Sequence, residues 1–218
     1  MQIAIDGPAG AGKSTVAKIV ADRLGIPYLD TGSMYRAIAY QVLKSGISAE
    51  NEEETVKIAS AANISLDHLN NRIYCDGQDV TNEIRSAEVT SAVSIISAYP
   101  GVRKRLVELQ REEAAKGNVV MDGRDIGTVV LPQAPVKIFL TASLAERAKR
   151  RWHELQKAGK AAIYETIYCD IEKRDANDRS REYSPLKVAE DAFVLDTTAM
   201  TVQEAADCIV DIIRRQGN

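Results

Sequence analysis

Histidine is scarce in this sequence. His68 and His153 are the only two among 218 residues, which leaves little room for chemistry built on an imidazole base. Cysteine is nearly as sparse: Cys75, Cys169 and Cys208 are odd in number and far apart, so they offer neither a CxxC metal pair nor a disulfide framework. A reducing cytoplasm is the expected setting. Gln2-Ile3-Ala4-Ile5-Asp6 is too short and too early for a signal-peptide core, and no apolar run approaches a membrane span. A basic excess is missing too. The 28 Lys and Arg against 31 Asp and Glu give a net charge of -3, which argues against a general nucleic-acid binder.

What is present is an ordinary globular composition, 45% hydrophobic and 27% charged, enough for one fair-sized domain with a sizeable core. Short apolar runs at Ile3–Asp6, Pro27–Asp30, Asn118–Asp122, Val136–Leu140 and Phe193–Asp196 alternate with helical patterns at Lys13–Leu24, Ser33–Ser45 and Val202–Arg215. The last of these sets Ala205, Ile209, Ile212 and Ile213 on one face. Five short strands separated by helices predict an α/β fold, a five-stranded parallel sheet sandwiched by helices. Two stretches break the alternation. Residues 62–85, with turn signals at Asn70-Asn71 and Asp76-Gly77, read as a small β insert. Residues 147–185 read as charged helices joined near Gly159. Trp152 reads as packing, and Glu50–Glu54 as a solvated helix face.

Between the first strand and the first helix lies Gly7-Pro8-Ala9-Gly10-Ala11-Gly12-Lys13-Ser14, a match to G-x-x-x-x-G-K-[ST]. The chemistry demands this order. Glycines let backbone N–H groups converge on phosphate oxygens, and the helix N-terminus adds partial positive charge. Lys13 would reach the β- and γ-phosphates, and the Ser14 hydroxyl would help hold Mg²⁺. At typical residue frequencies the four fixed positions recur by chance in about 1% of chains this long, and the strand–loop–helix context makes a plain connecting turn rarer still. GTPases read guanine through N-K-x-D after a later strand, but Leu140-Thr141-Ala142-Ser143 lacks it. The chain length favours a kinase of small molecules.

Such a kinase needs cations to spread phosphate charge, and the planar guanidinium suits that role. Arg36 follows Asp30-Thr31-Gly32-Ser33-Met34-Tyr35; taken alone it reads equally as a surface arginine on a capped helix. Asp122-Gly123-Arg124-Asp125 closes the third apolar strand at the sheet edge where ligands bind in open α/β folds. There Asp122 suits magnesium through water, Arg124 a phosphate, and Asp125 an amino group. Arg174, Asp178 and Arg181 are spaced to share a helical face, and Arg147, Arg150 and Arg151 cluster on another helix. Six of the sixteen arginines fall within residues 147–181. These are either a salt-bridged solvated helix pair or a lid that excludes water from a phosphoryl transfer.

Together these segments resemble the bacterial cytidylate kinases over essentially the whole chain. The resemblance rests on Ile5-Asp6-Gly7-Pro8 before the cradle, Asp30 to Arg36, Asp122 to Thr128, Lys173-Arg174-Asp175 with Asp178-Arg179 and Arg181, and the extra β segment. It implies one kinase domain over 1–218: a core of 1–30, 116–146 and 176–218, a monophosphate-binding region of 31–115, and a lid of 147–175. It implies transfer from ATP, with Mg²⁺, to CMP and dCMP. The donor would lie on Gly7, Pro8, Ala9, Gly10, Ala11, Gly12, Lys13, Ser14 and Thr15 with Arg147 and Arg151, the metal on Ser14, and catalysis would rest on Lys13, Arg124 and Arg174. The acceptor would meet Thr31, Arg36, Ser94, Arg103, Arg124, Asp125, Arg174, Asp178 and Arg181. Within that set Ser94, Arg103 and Asp125 would read cytosine, Asp178 the ribose, and Arg36, Arg124 and Arg174 the phosphate. The expected state is a cytoplasmic monomer without nucleic-acid or membrane partners. Another small-molecule kinase, for instance of shikimate, and a nucleotide-sensing switch or slow hydrolase stay open as alternatives.

Overall fold

The computed structural model describes residues 1–68 and 70–216. Leu69, within the expected β insert, and residues 217–218, at the end of the expected core, lie outside the described residues. Strands β1 (Gln2–Asp6), β2 (Tyr28–Asp30), β6 (Val119–Gly123), β7 (Val136–Thr141) and β8 (Phe193–Asp196) form one sheet in the order β2-β6-β1-β7-β8. Central β1 runs parallel to both neighbours, with Ile5 opposite Asp122 on one side and Ile138 on the other. Strands covered on both faces need apolar residues at every position rather than every second one. Ile3, Ala4 and Ile5 are accordingly fully buried.

Two compact units divide the chain: Met1–Tyr28 with Asn118–Asn218, and Leu29–Gly117. In the first, helix α1 (Lys13–Leu24) and helix α8 (Val202–Gln216) lay Val16, Ala17 and Val20, and Ala205, Ala206, Ile209 and Ile213, against Ile3, Ile5, Val120, Ile138 and Leu140. Ile212, expected on the same apolar face, is only partly buried there. Gly25 ends α1 in the left-handed region, its N–H returning to Asp22 O and Ala21 O, the usual glycine stop. Strand β8 departs from the expectation of a buried apolar run. It is an edge strand, paired only with β7 through Ile138–Phe193 to Thr141–Asp196 among the described residues, and Phe193 and Val194 are 43% and 60% exposed.

In the second unit, α2 begins at Thr31, two residues before the expected start (Thr31–Lys44), because the Asp30 carboxylate caps it by accepting from Ser33 N at 3.0 Å. Helices α3 (Glu52–Ala61), α4 (Ala87–Ile96) and α5 (Pro100–Ala115) follow, and β3 (Ile64–Asp67), β4 (Arg72–Cys75) and β5 (Gln78–Asp79) make an antiparallel sheet. The turn Asp76-Gly77 has φ of 51° and 78°, the pair of positive values that a two-residue hairpin asks of such residues. Met34, Ile38, Ile84, Ile96 and Leu106 are fully buried, so the β segment belongs to a unit with apolar contacts of its own. Among the described residues no helix is long and apolar enough to cross a membrane.

Gly7 is where β1 leaves the sheet, at φ 149°. A Cβ there would fall 2.0 Å from Leu140 O of β7, a backbone atom that cannot swing away. Gly25 has φ 64° with open space around it. Gly7→Ala is therefore expected to lower stability by about 3 kcal/mol or more, against about 1 kcal/mol for Gly25→Ala. Urea denaturation of both variants checks this, and equal losses would contradict the steric argument.

Candidate active site

The turn from β1 into α1 curls through Gly10 and Gly12, both at positive φ, and delivers Lys13 as the first residue of α1. Lys13 is buried, and its ammonium donates to Pro8 O at 2.9 Å. Burial, and next the nearby Arg124 cation, bring its pKa down to about 7, although Asp122, Asp178 and Asp6 pull the other way. This ammonium lacks sufficient counter-charge, which an anion in the loop would supply. Ser14 Oγ donates to Asp122 Oδ2 at 2.9 Å, and Tyr28 Oη donates to Asp122 Oδ1 at 2.6 Å. Thr15, next in the first turn of α1, is exposed.

Beyond β6 the backbone makes a π-helical turn over Ile126–Val130, which the sequence reading did not anticipate. Asp6, at the end of β1, explains it. Its two carboxylate oxygens accept from Ile126 N and Gly127 N, both at 2.7 Å, and so fix the segment that carries Arg124 and Asp125. Burial raises the Asp6 carboxyl to about 6 despite those two bonds; Asp125 adds to the rise and Lys13 opposes it. Lys137 of β7 flanks the same turn, its stem beside Gly127, while its ammonium is bound to Asp191 and Pro132 O.

Arg124 Nε donates to Asp178 Oδ2 at 2.8 Å, and Arg181 donates to the other oxygen of that carboxylate. Burial works against the charged Asp178, but Arg124, Arg181 and Arg174 together outweigh it and hold the carboxyl below its ordinary range. Burial, then Arg124, lower the pKa of Arg174. Arg124, Arg174, Asp178 and Arg181 thus form one charge cluster, electrostatically joined to Lys13. Arg181 does not share the expected helical face with Arg174 and Asp178. Helix α7 (Tyr164–Ser180) stops short of Arg181, which has extended backbone and reaches Asp178 from beyond the helix end.

The arginines of α6 (Leu144–Lys157) do not cluster as their spacing suggests. Arg147 is buried and donates to Ala9 O (2.8 Å), Ala142 O (2.9 Å) and Asp175 (2.6 Å). Arg150 donates to Thr197 O and Glu146, and the half-exposed Arg151 to Glu154. Trp152 packs as expected, donating to Ala162 O within the apolar contacts of α6 and α7.

The remaining candidates belong to the second unit. Thr31 is buried at the head of α2. Arg36 donates to Ile84 O (3.1 Å) and Thr90 Oγ1 (3.0 Å), the latter one turn before the half-buried Ser94 on α4. Arg103 is buried, donates to Ser97 O and lies 5.3 Å from the Tyr35 ring centre. In the sequence reading Asp6 and Asp175 are named only within the motifs that carry the resemblance, with no role assigned, and Tyr28 not at all. Asp6 carries a signal of its own, an acid directly after the apolar run Ile3-Ala4-Ile5 and just before the phosphate loop.

A parallel sheet with a phosphate loop after β1, and an acid at the end of β6 facing that loop's serine, defines a P-loop nucleotide-binding protein of the small-kinase type. The same fold occurs in an uncharacterised protein from Eubacterium ventriosum ATCC 27560 (TM-score 0.53, 15% identity, 98% of each chain covered). It occurs again in a shikimate kinase from Bacteroides thetaiotaomicron (TM-score 0.50, 11% identity, 98% of each chain covered). The family is narrower than the fold. The cytidylate kinase family profile matches residues 3–215, and the chain belongs to that family. It is 57% identical over 213 residues to the cytidylate kinase of Desulfitobacterium hafniense (strain Y51), covering 97% of this chain and 92% of that one. It is 47% identical over 218 residues to that of Bacillus subtilis (strain 168), covering 99% and 97%.

Because folding raises the Asp6 pKa, ionising Asp6 costs folding free energy. Its contribution to stability is fully present below the unfolded value near 3.8 and is lost as pH rises through about 6. Relative to Asp6→Asn, the native protein should lose about 2–3 kcal/mol between pH 4 and pH 8. Denaturant titrations of both proteins across that range test it; a difference that stays flat with pH would show that Asp6 does not titrate as its burial dictates.

Proposed function

We propose that the chain transfers the γ-phosphoryl group of ATP to CMP and dCMP, giving CDP or dCDP and ADP, within pyrimidine nucleotide metabolism. The supporting observation is the assembly of buried Lys13, Asp122 and Asp178 with half-buried Arg124 and Arg174 around the phosphate loop, in a chain of this family. An acceptor phosphate oxygen forms its bond to the γ-phosphorus as the bond from that phosphorus to the β-phosphate oxygen breaks, and ADP leaves. Such a transfer requires in-line positioning and cations rather than a side-chain nucleophile, so no phosphoenzyme forms.

In this reading the Gly7–Thr15 backbone cradles the donor, while Lys13, Arg124 and Arg174 hold the charge that spreads over the transferring group. Arg151 adds to the donor site. Arg147 serves the donor by shaping the loop, since its guanidinium is bound to Ala9 O and Asp175. Thr31, Arg36, Ser94, Arg103, Arg124, Asp125, Arg174, Asp178 and Arg181 take the acceptor, with Ser94, Arg103 and Asp125 reading the cytosine. Residues 31–115 act as the monophosphate-binding region, and residues 147–175 as the lid that keeps water from competing with the acceptor. The Ser14 hydroxyl, with Asp122 alongside it, is a hard oxygen donor set that fits Mg²⁺, an ion that takes few protein ligands and completes its shell with phosphate oxygens and water. When bound, the ion neutralises charge on the β- and γ-phosphates. The net charge of -3 and the three sparse cysteines support a cytoplasmic protein that does not engage nucleic acid, and a monomer without a membrane partner is the proposed state.

ADP release from Mg-ATP, measured with CMP, dCMP, UMP, AMP, GMP and shikimate offered separately, tests the acceptor. Turnover concentrated on CMP and dCMP is expected; turnover led by shikimate or a purine monophosphate would reject the base-reading residues. Lys13→Ala is expected to lower the CMP rate by about two orders of magnitude or more with an unchanged circular dichroism spectrum, and near-native turnover would remove Lys13 from the mechanism.

A further inference from the structure

The peptide of Ala9, third residue of the phosphate loop, is gripped from both sides. Its N–H donates to Asp175 Oδ1 at 3.1 Å, and its carbonyl accepts from Arg147 Nη1 at 2.8 Å. Arg147 Nη1 also donates to Asp175 Oδ2 at 2.6 Å, so the three groups close a ring. Arg147 Nε meanwhile donates to Ala142 O, which anchors the guanidinium where β7 gives way to α6. All three residues are at most 5% exposed. The ring sits on an apolar platform: Ala9 packs with Ala148, Ile167 and Ile171, and every other member of that cluster comes from residues 144–168. Gly10 also lies close to α6: a Cβ added there would meet Arg147 Cβ at 3.4 Å, an ordinary van der Waals distance.

We propose that Arg147 and Asp175 are positioning residues for the ATP-binding loop: they hold the Ala9 peptide, and through it the loop amides, in the conformation that accepts the donor phosphates. The proposal rests on the kinase reading only in naming ATP as the ligand. Two arguments favour this role over a purely structural ion pair. Buried ion pairs contribute little net stability and can often be replaced by neutral groups without loss, so stability alone does not account for one here. Both partners also bond to the backbone of the same loop residue, where Gly10 and Gly12 leave the chain intrinsically free. A small misplacement of loop amides is enough to weaken phosphate binding by an order of magnitude or more.

Removing one partner leaves the other buried and uncompensated, which risks the fold. The test therefore uses the neutral double variant Arg147→Gln/Asp175→Asn, with Arg147→Lys as the conservative partner. Binding of a non-hydrolysable ATP analogue with Mg²⁺ is followed by calorimetry on the full chain, independently of any acceptor, alongside the KM values for ATP and for CMP. The expected result is a Kd for the analogue and a KM for ATP raised about tenfold or more in the double variant, a CMP KM within about threefold of native, and partial recovery in Arg147→Lys. Cooperative denaturant unfolding establishes that the double variant is folded. A folded double variant with ATP affinity within about twofold of native would overturn the proposal, as would equal losses for ATP and CMP. If the native protein bound the analogue but phosphorylated no CMP, the kinase assignment would fail while the clamp test stood.

Discussion

The constraint from which the site follows is the burial of a lysine ammonium without a carboxylate against it. Lys13 donates to a loop carbonyl, Pro8 O, and its pKa falls to about 7 because burial and Arg124 both disfavour its charge. A site preorganised for a polyanion gains from a cation held without a fixed carboxylate of its own, because that charge is available to phosphate. The acids nearby are accordingly engaged elsewhere. Asp122 takes bonds from Ser14 and Tyr28, Asp178 from Arg124 and Arg181, and Asp6 from two backbone amides. Each moderates the cation field without cancelling it.

That arrangement explains why so many charged residues gather at the C-terminal ends of β1 and β6. Asp6 ends β1 and Asp122 is the last residue but one of β6, each directly after an apolar run (Ile3-Ala4-Ile5 and Val119-Val120-Met121), so their carboxylates emerge where the sheet stops and the loops begin. The sheet supplies rigid points of departure; the loops supply backbone N–H groups. In the turn after β6 those two resources meet, because a carboxylate from β1 dictates the backbone path that follows β6.

Sequence pattern revealed what depends on local chemistry. The phosphate loop was legible because four residues in fixed spacing are needed to curl a backbone around phosphate, and the strands because burial on two faces demands uninterrupted apolar runs. The Asp76-Gly77 hairpin was legible because few residues accept two positive φ values. What escaped depended on partners far along the chain. Phe193 and Val194 look like core residues, yet edge position, which no local pattern encodes, leaves them exposed. Arg147, Arg150 and Arg151 look like one basic cluster, but their destinations are Ala9, Thr197 and Glu154, set by the packing of α6 rather than by its spacing. The bonds from Asp6 to Ile126 and Gly127 span more than a hundred residues, and no periodicity announces them.

Asp6 and the Arg147–Asp175 pair show what the site asks of the fold. An apolar residue at position 6 would avoid the desolvation that raises the carboxyl to about 6, but it would release the amides of Ile126 and Gly127 and let Arg124 and Asp125 drift. A neutral pair in place of Arg147 and Asp175 would cost little by the usual behaviour of buried ion pairs, but the Ala9 peptide would lose its charged partners on both sides. In each case the buried charge is directed at main-chain atoms of a ligand-facing loop and not at the hydrophobic core. Loops of this kind, rich in glycine and lacking a ladder of their own, depend on side-chain bonds to hold one conformation before the ligand arrives. The buried charges therefore act as fixed supports for flexible backbone, and their stability cost measures how strongly phosphate binding depends on backbone that is already in place.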